Sequence, residues 1–126
     1  MKRDMDLARS LLKEIEEKAE HDDPGMMLEV PGYDEATINH HLQLLAEASL
    51  IEVRRIGYGT APADYLAKGL TWQGHEFLAA ARNDTIWAKA KGLMKQKGVE
   101  WSFELLRTSL VLVAKQHLGL PSTIAE

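Results

Sequence analysis

The chain has no cysteine. Disulfides, thiolate metal sites and cysteine nucleophiles are therefore excluded, and a reducing cytoplasm suits it. Long hydrophobic runs are also missing. The most apolar window, Leu105 to Ala114, is too short to span a bilayer and contains Arg107, so no membrane partner is expected. The opening MKRDMDLARS has basic residues with no apolar stretch behind them, which does not make a signal peptide. Excess positive charge is lacking too: the formal net charge is −4, which is not the electrostatic footprint expected of a nucleic-acid binder.

Catalytic patterns are equally sparse. There is no G-x-S-x-G, no H-E-x-x-H and no evident pair of carboxylates. The lone G-x-G at Gly57 to Gly59 enters no predicted helix and has no Walker lysine after it, so it reads as a turn. His40 and His41 are adjacent and would point about 100° apart on a helix, so they cannot form an i, i+4 metal pair. His21, beside Asp22 and Asp23, reads as part of a solvated turn. No enzyme, cofactor or metal site is expected.

What is present suits one α+β domain of 126 residues, mostly helical. Leu7, Ala8, Leu11, Leu12 and Ile15 recur at helical spacing and predict a helix from Asp4 to about Ala19. Pro24-Gly25 breaks it, and MMLEV (Met26 to Val30) reads as a short strand ended by Pro31-Gly32. Ile38, His41, Leu42 and Leu45 then share one face of a helix from Asp34 to about Ala48. LIEVRRIG and YLAKGL read as two strands joined by the loop YGTAPAD. Thr71 is a good N-cap for a helix from Trp72 to about Arg82, and Gly74 inside it predicts close approach to another backbone. Asn83 or Asp84 caps a further helix to about Lys97, with Ile86, Trp87, Ala90, Leu93 and Met94 on its buried stripe. A last helix covers about Trp101 to Leu118.

The stretch HHLQLLAEASLIEVRR resembles the helix-to-wing passage of bacterial winged-helix regulators of the arsenic-repressor and multiple-antibiotic-resistance types. His41, Leu42, Leu45, Ala48, Leu50 and Ile51 carry that likeness. Ser49 stands where those regulators have glycine. A left-handed cap would be strained for serine, so this helix end is expected to close differently. Across nearly the whole chain, MKRDMDLARSLL, INHHLQLLAEASLIE and GLTWQGHEFLAAARNDTIWAKAK together resemble a bacterial and prophage family, the domain of unknown function twenty-five thirteen. The resemblance implies a winged-helix-like unit over residues 1–82 with a helical extension, residues 83–126, packed on it. It also implies a mobile-element setting, and no activity.

Two readings of the helix over residues 34–48 follow. In the first, Asn39, His40 and Gln43 read bases of duplex DNA, while Arg54, Arg55 and Lys68 hold phosphates. In the second, the winged shape is kept for a host or phage protein partner. Asp34, Glu35 and Glu47 favour the second, because phosphate contacts supply most of the affinity for duplex DNA and this helix carries no cation. His41, at the edge of the apolar face, is expected to bond a backbone group. The last helix is apolar around much of its circumference, so it is expected to be buried on nearly all sides. Either a homodimer through residues 101–118, with Trp101, Leu105 and Leu112 at the interface, or the chain's other helices must cover it.

Overall fold

The structure, a computed structural model, describes residues 2–21, 24–57, 63–98 and 102–120. Within them the chain is α+β and mostly helical: five helices and one two-stranded antiparallel sheet. The order is α1 (Met5–Lys18), α2 (Glu35–Glu47), β1 (Ile51–Ile56), β2 (Asp64–Leu70), α3 (Trp72–Ala81), α4 (Asp84–Gln96) and α5 (Phe103–His117). The chain divides into two compact units, residues 1–78 and 79–126, with the boundary inside α3. Residues 58–62 of the expected wing loop, Asp22, Asp23 and Trp101 lie outside the described residues.

All five helices begin on side-chain caps, with Thr71 serving α3. Asp4, Asp34, Asn83 and Ser102 accept from the amides of Leu7, Thr37, Ile86 and Leu105. Each thereby satisfies one of the amides that a helix start leaves without an internal partner. The caps set the boundaries: α2 starts after Asp34, not on it, and α5 starts at Phe103.

In the first unit, α1 buries Leu7, Leu11, Leu12 and Ile15 completely and packs on α2 and β2. Ile38, Leu42 and Leu45 of α2 are buried in the same core, with Ile51 and Ala67 of the hairpin. His41 is buried beside them, as a polar group with both ring nitrogens engaged. Its Nε2 accepts from the Asp4 amide at 2.8 Å, and its Nδ1 lies 2.9 Å from the Thr37 carbonyl. That pairing requires the neutral tautomer with the proton on Nδ1. The expectation of a backbone-bonded imidazole holds, with two bonds where one was foreseen.

The expected strand over Met26 to Val30 is not formed. It shrinks to a single bridge, Met26 to Ala67, in which the two residues exchange both backbone bonds. In a continued ladder Leu28 would lie opposite Tyr65, but the Tyr65 amide donates instead to Asn39 Oδ1 at 2.7 Å. A side chain from α2 therefore stands where the third strand would run.

The hairpin aligns Arg55 with Tyr65, Arg54 with Leu66 and Val53 with Ala67, then shifts so that Glu52 faces Gly69. Lys68 is the extra residue of this bulge, and the shift bends the strand where it enters α3. At that bend Thr71 caps α3 through Gly74 N–H, its hydroxyl donates to the Ser49 carbonyl at 2.6 Å, and its amide donates to the Leu50 carbonyl. A methyl on Gly74 would overlap the Leu50 carbonyl oxygen, which bears out the expected close approach.

The end of α2 differs from expectation. Ser49 does take the left-handed conformation, with φ 62°. Leu50 N–H bonds the Leu45 carbonyl and Ser49 N–H bonds the Ala46 carbonyl, the paired bonds of a Schellman closure. The closure needs that conformation whatever residue occupies the site, and the Thr71 hydroxyl helps to hold it.

In the second unit α4 and α5 pack on each other. Ile86, Trp87, Ala90 and Met94 are buried on α4, while Leu93 is half-buried. On α5 only Leu106, Leu110 and Val113 are buried, so the helix is not buried on nearly all sides as expected. Leu105 and Val111 are exposed and Leu112 is half-buried, because α4 occupies one face of α5 and a single neighbouring helix cannot enclose the whole circumference.

Candidate functional site

Several of the residues expected to face DNA have partners within the fold. Asn39 is spent within the fold. Its amide nitrogen donates to the Ala63 carbonyl at 3.0 Å and its oxygen accepts from the Tyr65 amide. Together with the Met26 bridge at Ala67, this closes the outer edge of β2 at residues 63, 65 and 67, an edge that would otherwise present unpaired backbone groups. His40 stands edge-on to His41, with ring centroids 5.7 Å apart. Gln43 donates to Glu47, one turn along α2, at 3.1 Å. Arg54 and Arg55 are both exposed, but as neighbours on a strand they project to opposite faces of the hairpin. Lys68 is exposed at the bulge. Of the residues expected at an interface between copies, Leu105 and Leu112 lie seven apart on one side of α5, and Trp101 lies outside the described residues.

What sequence reasoning missed is a groove in the first unit. It lies between the Met27–Leu28 segment, the first turns of α2 and the start of β2, and has a volume of about 350 Å³. Its floor and walls are Met27, Leu28, Ala36, Ile38, Leu42 and Leu66, with Asn39 and Tyr65 at one end. Glu35 and Asp64 stand on its rim. A second depression of about 760 Å³ continues from it along Val30 to Tyr33, sharing Met27, Leu28, Glu35 and Ile38 and adding Glu29. No motif announces this groove, because three segments separated in sequence build it. The exposed apolar residue Met27 and the apolar positions Ala36 and Leu66 were its only trace in the sequence.

The electrostatics of the groove follow from its rim. Glu29, Glu35 and Asp64 form no ion pair with a described residue. The one lysine on the second depression, Lys18, is already paired with Glu14 at 2.7 Å, and this pairing, with Glu17 and Glu29 nearby, raises its pKa above the ordinary lysine value. Asp34, just beside the rim, is held below the usual carboxylate range by its bonds to Thr37. Tyr33 on the far wall is raised above the usual phenol value because its hydroxyl donates to Asp4 at 2.7 Å. Among the described residues no group of three His, Cys, Asp or Glu could hold a metal ion, and no helix is long and apolar enough to cross a membrane.

Comparison with known proteins places these features in a family. Residues 2–100 match the family described as Hypothetical protein (DUF2513). An uncharacterized protein of Haemophilus influenzae is 35% identical over 120 residues, which cover 94% of this chain and 100% of that protein. No solved structure matches. The matched region contains α1 to α4, the hairpin and the whole groove, and on both likenesses the chain belongs to the DUF2513 family.

Proposed function

We propose that this chain is a non-enzymatic accessory or regulatory protein of a bacterium or its prophage, working in the cytoplasm as a protein–protein interaction module on a winged-helix-like scaffold. The observation that carries this reading is the engagement of Asn39. Asn39, one of two α2 side chains suited to a bidentate contact with adenine, already spends both ends of its amide on Ala63 and Tyr65, and the other, Gln43, is bonded to Glu47. The rest of that helix face carries Glu47 and no cation. A homodimer through residues 101–118, using Leu105 and Leu112, belongs to the same proposal.

A second reading, duplex DNA binding, is favoured by one observation: Arg54, Arg55 and Lys68 are all exposed on the hairpin. Titration of a labelled mixed-sequence duplex with the full chain separates the two. The interaction reading predicts no saturable binding even at low salt. Binding that weakens steeply as salt is raised would overturn it, since that slope counts the phosphates neutralised. Sedimentation of the same sample tests the homodimer, which a monomer at all concentrations would rule out.

A further inference from the structure

The groove beside α2 has three properties that together describe an occupant. Its first depression is lined mostly by apolar side chains, Met27 beside it is open to water, and carboxylates stand at its edge. Its volume falls in the range of concave ligand sites. The two depressions share Met27, Leu28, Glu35 and Ile38, so they adjoin, one reaching the hairpin end at Asp64–Leu66 and the other Pro31–Tyr33. Met27 is 70% exposed at the junction, a large apolar side chain in water. Methionine at such a position suits a surface that adapts to a partner's side chains, because the thioether chain is flexible and polarisable. Leu28, Ile38 and Leu42 behind it are buried, so Met27 is the large apolar side chain that the groove offers to a partner.

The rim selects the sign of the partner. Glu35 and Asp64 flank the first depression and neither is paired with a described cation, whereas Glu29, on the second, interacts with Lys18. Lys18 is held by Glu14, and Arg54, although opposite Leu66 in the hairpin, is not part of the lining. Arg54, Arg55 and Lys68 belong to the hairpin surface outside the groove.

We infer that the groove formed by Met27, Leu28, Ala36, Ile38, Leu42 and Leu66 docks an amphipathic peptide segment of another protein, whose aliphatic anchors enter the groove and whose lysines or arginines meet Glu35 and Asp64. This rests on the interaction-module reading and gives that module its partner chemistry. The binding follows the helix-in-groove pattern, with anchors spaced by one helical turn. The rim carboxylates add on-rate and discrimination, and their effect weakens with salt.

The test uses the full chain, ¹⁵N-labelled, and two synthetic helical peptides with the same leucine spacing, one otherwise lysine-rich and the other glutamate-rich. The lysine peptide is expected to shift amide resonances of residues 27–28, 35–42 and 64–66, and to bind at least about tenfold tighter than the glutamate peptide. Met27→Glu is expected to weaken it by about tenfold or more. The exposed double reversal Glu35→Lys with Asp64→Lys is expected to invert the preference, and this variant keeps the test meaningful because it leaves the apolar core untouched. Equal binding of both peptides, no binding of either, or a preference unmoved by the reversal would overturn the proposal. Shifts confined to Leu105 and Leu112 of α5 would overturn it too, while leaving the module reading intact; saturable duplex binding would instead remove the reading on which it rests.

Discussion

Ser49 is the residue at which local strain and the needs of the fold are most plainly opposed. Its φ of 62° is the left-handed region, where a side chain costs roughly 1–2 kcal/mol relative to the right-handed form. The Schellman closure of α2 nevertheless demands it, because Leu50 must turn back to reach Ile51 and the hairpin. Ser49→Gly is therefore expected to stabilise the chain by about 1 kcal/mol, raising the urea midpoint with no change in slope. An unchanged or lower midpoint would mean that the Thr71 hydroxyl bond to the Ser49 carbonyl already compensates the strain in full. The position was legible as unusual from its place in the helix-to-strand pattern, but its outcome was not. Propensity weighed the serine alone, whereas the hairpin on one side and Thr71 on the other decide the backbone. Gly74 is the opposite case. A glycine inside a helix has few uses, and the close passage of Leu50 is the one found here.

At the scale of elements, the start of α1 is tied to α2 by a small polar cluster within an apolar core. Asp4 caps α1, gives its amide to His41 and receives the Tyr33 hydroxyl. The Tyr33 bond has a pH signature. Its phenol pKa is raised, chiefly by the hydrogen bond to Asp4, then by burial and the nearby carboxylate charges. A raised folded pKa means that the protonated phenol stabilises the native state. That contribution is fully present below the ordinary phenol value of about 10 and is lost as pH rises through the folded value. Tyr33→Phe is expected to cost about 1 kcal/mol at neutral pH. The gap between native chain and variant should then narrow in urea titrations carried above pH 10. A gap that stays constant through that range would show that the hydroxyl bond contributes nothing to stability.

Periodicity made the helices legible, because an apolar stripe and a capping side chain are both local signals. The hairpin was legible from the β-branched residues of its first strand and the glycine-bearing loop that follows them. The third strand was not, since its absence depends on Asn39 taking the amide of Tyr65, 26 residues further on. A carboxamide suits a base edge and a strand edge equally well, so nothing in the residue itself says which it meets.

Across the whole molecule the decisive quantity is where charge lies. Residues 1–70 carry eight Lys and Arg against fourteen Asp and Glu, and the later residues carry seven against five. The acidic half contains α2, the hairpin and the groove, and a net negative charge there works against holding phosphate. That argument was available from the sequence. The groove was not, because no single segment contains it, and neither was the one-sided burial of α5, which depends on how much of its circumference α4 covers.

Asn39 fastens α2 to the hairpin, and an amide held in this way is not available to a base edge. The side-chain amide resonance of Asn39, assigned through the loss of its signal in Asn39→Asp, tests that most directly. The account predicts slowed hydrogen exchange at that amide and no shift when duplex DNA is added at low salt. Exchange at the rate of a free carboxamide, with a shift that saturates on adding duplex, would contradict it.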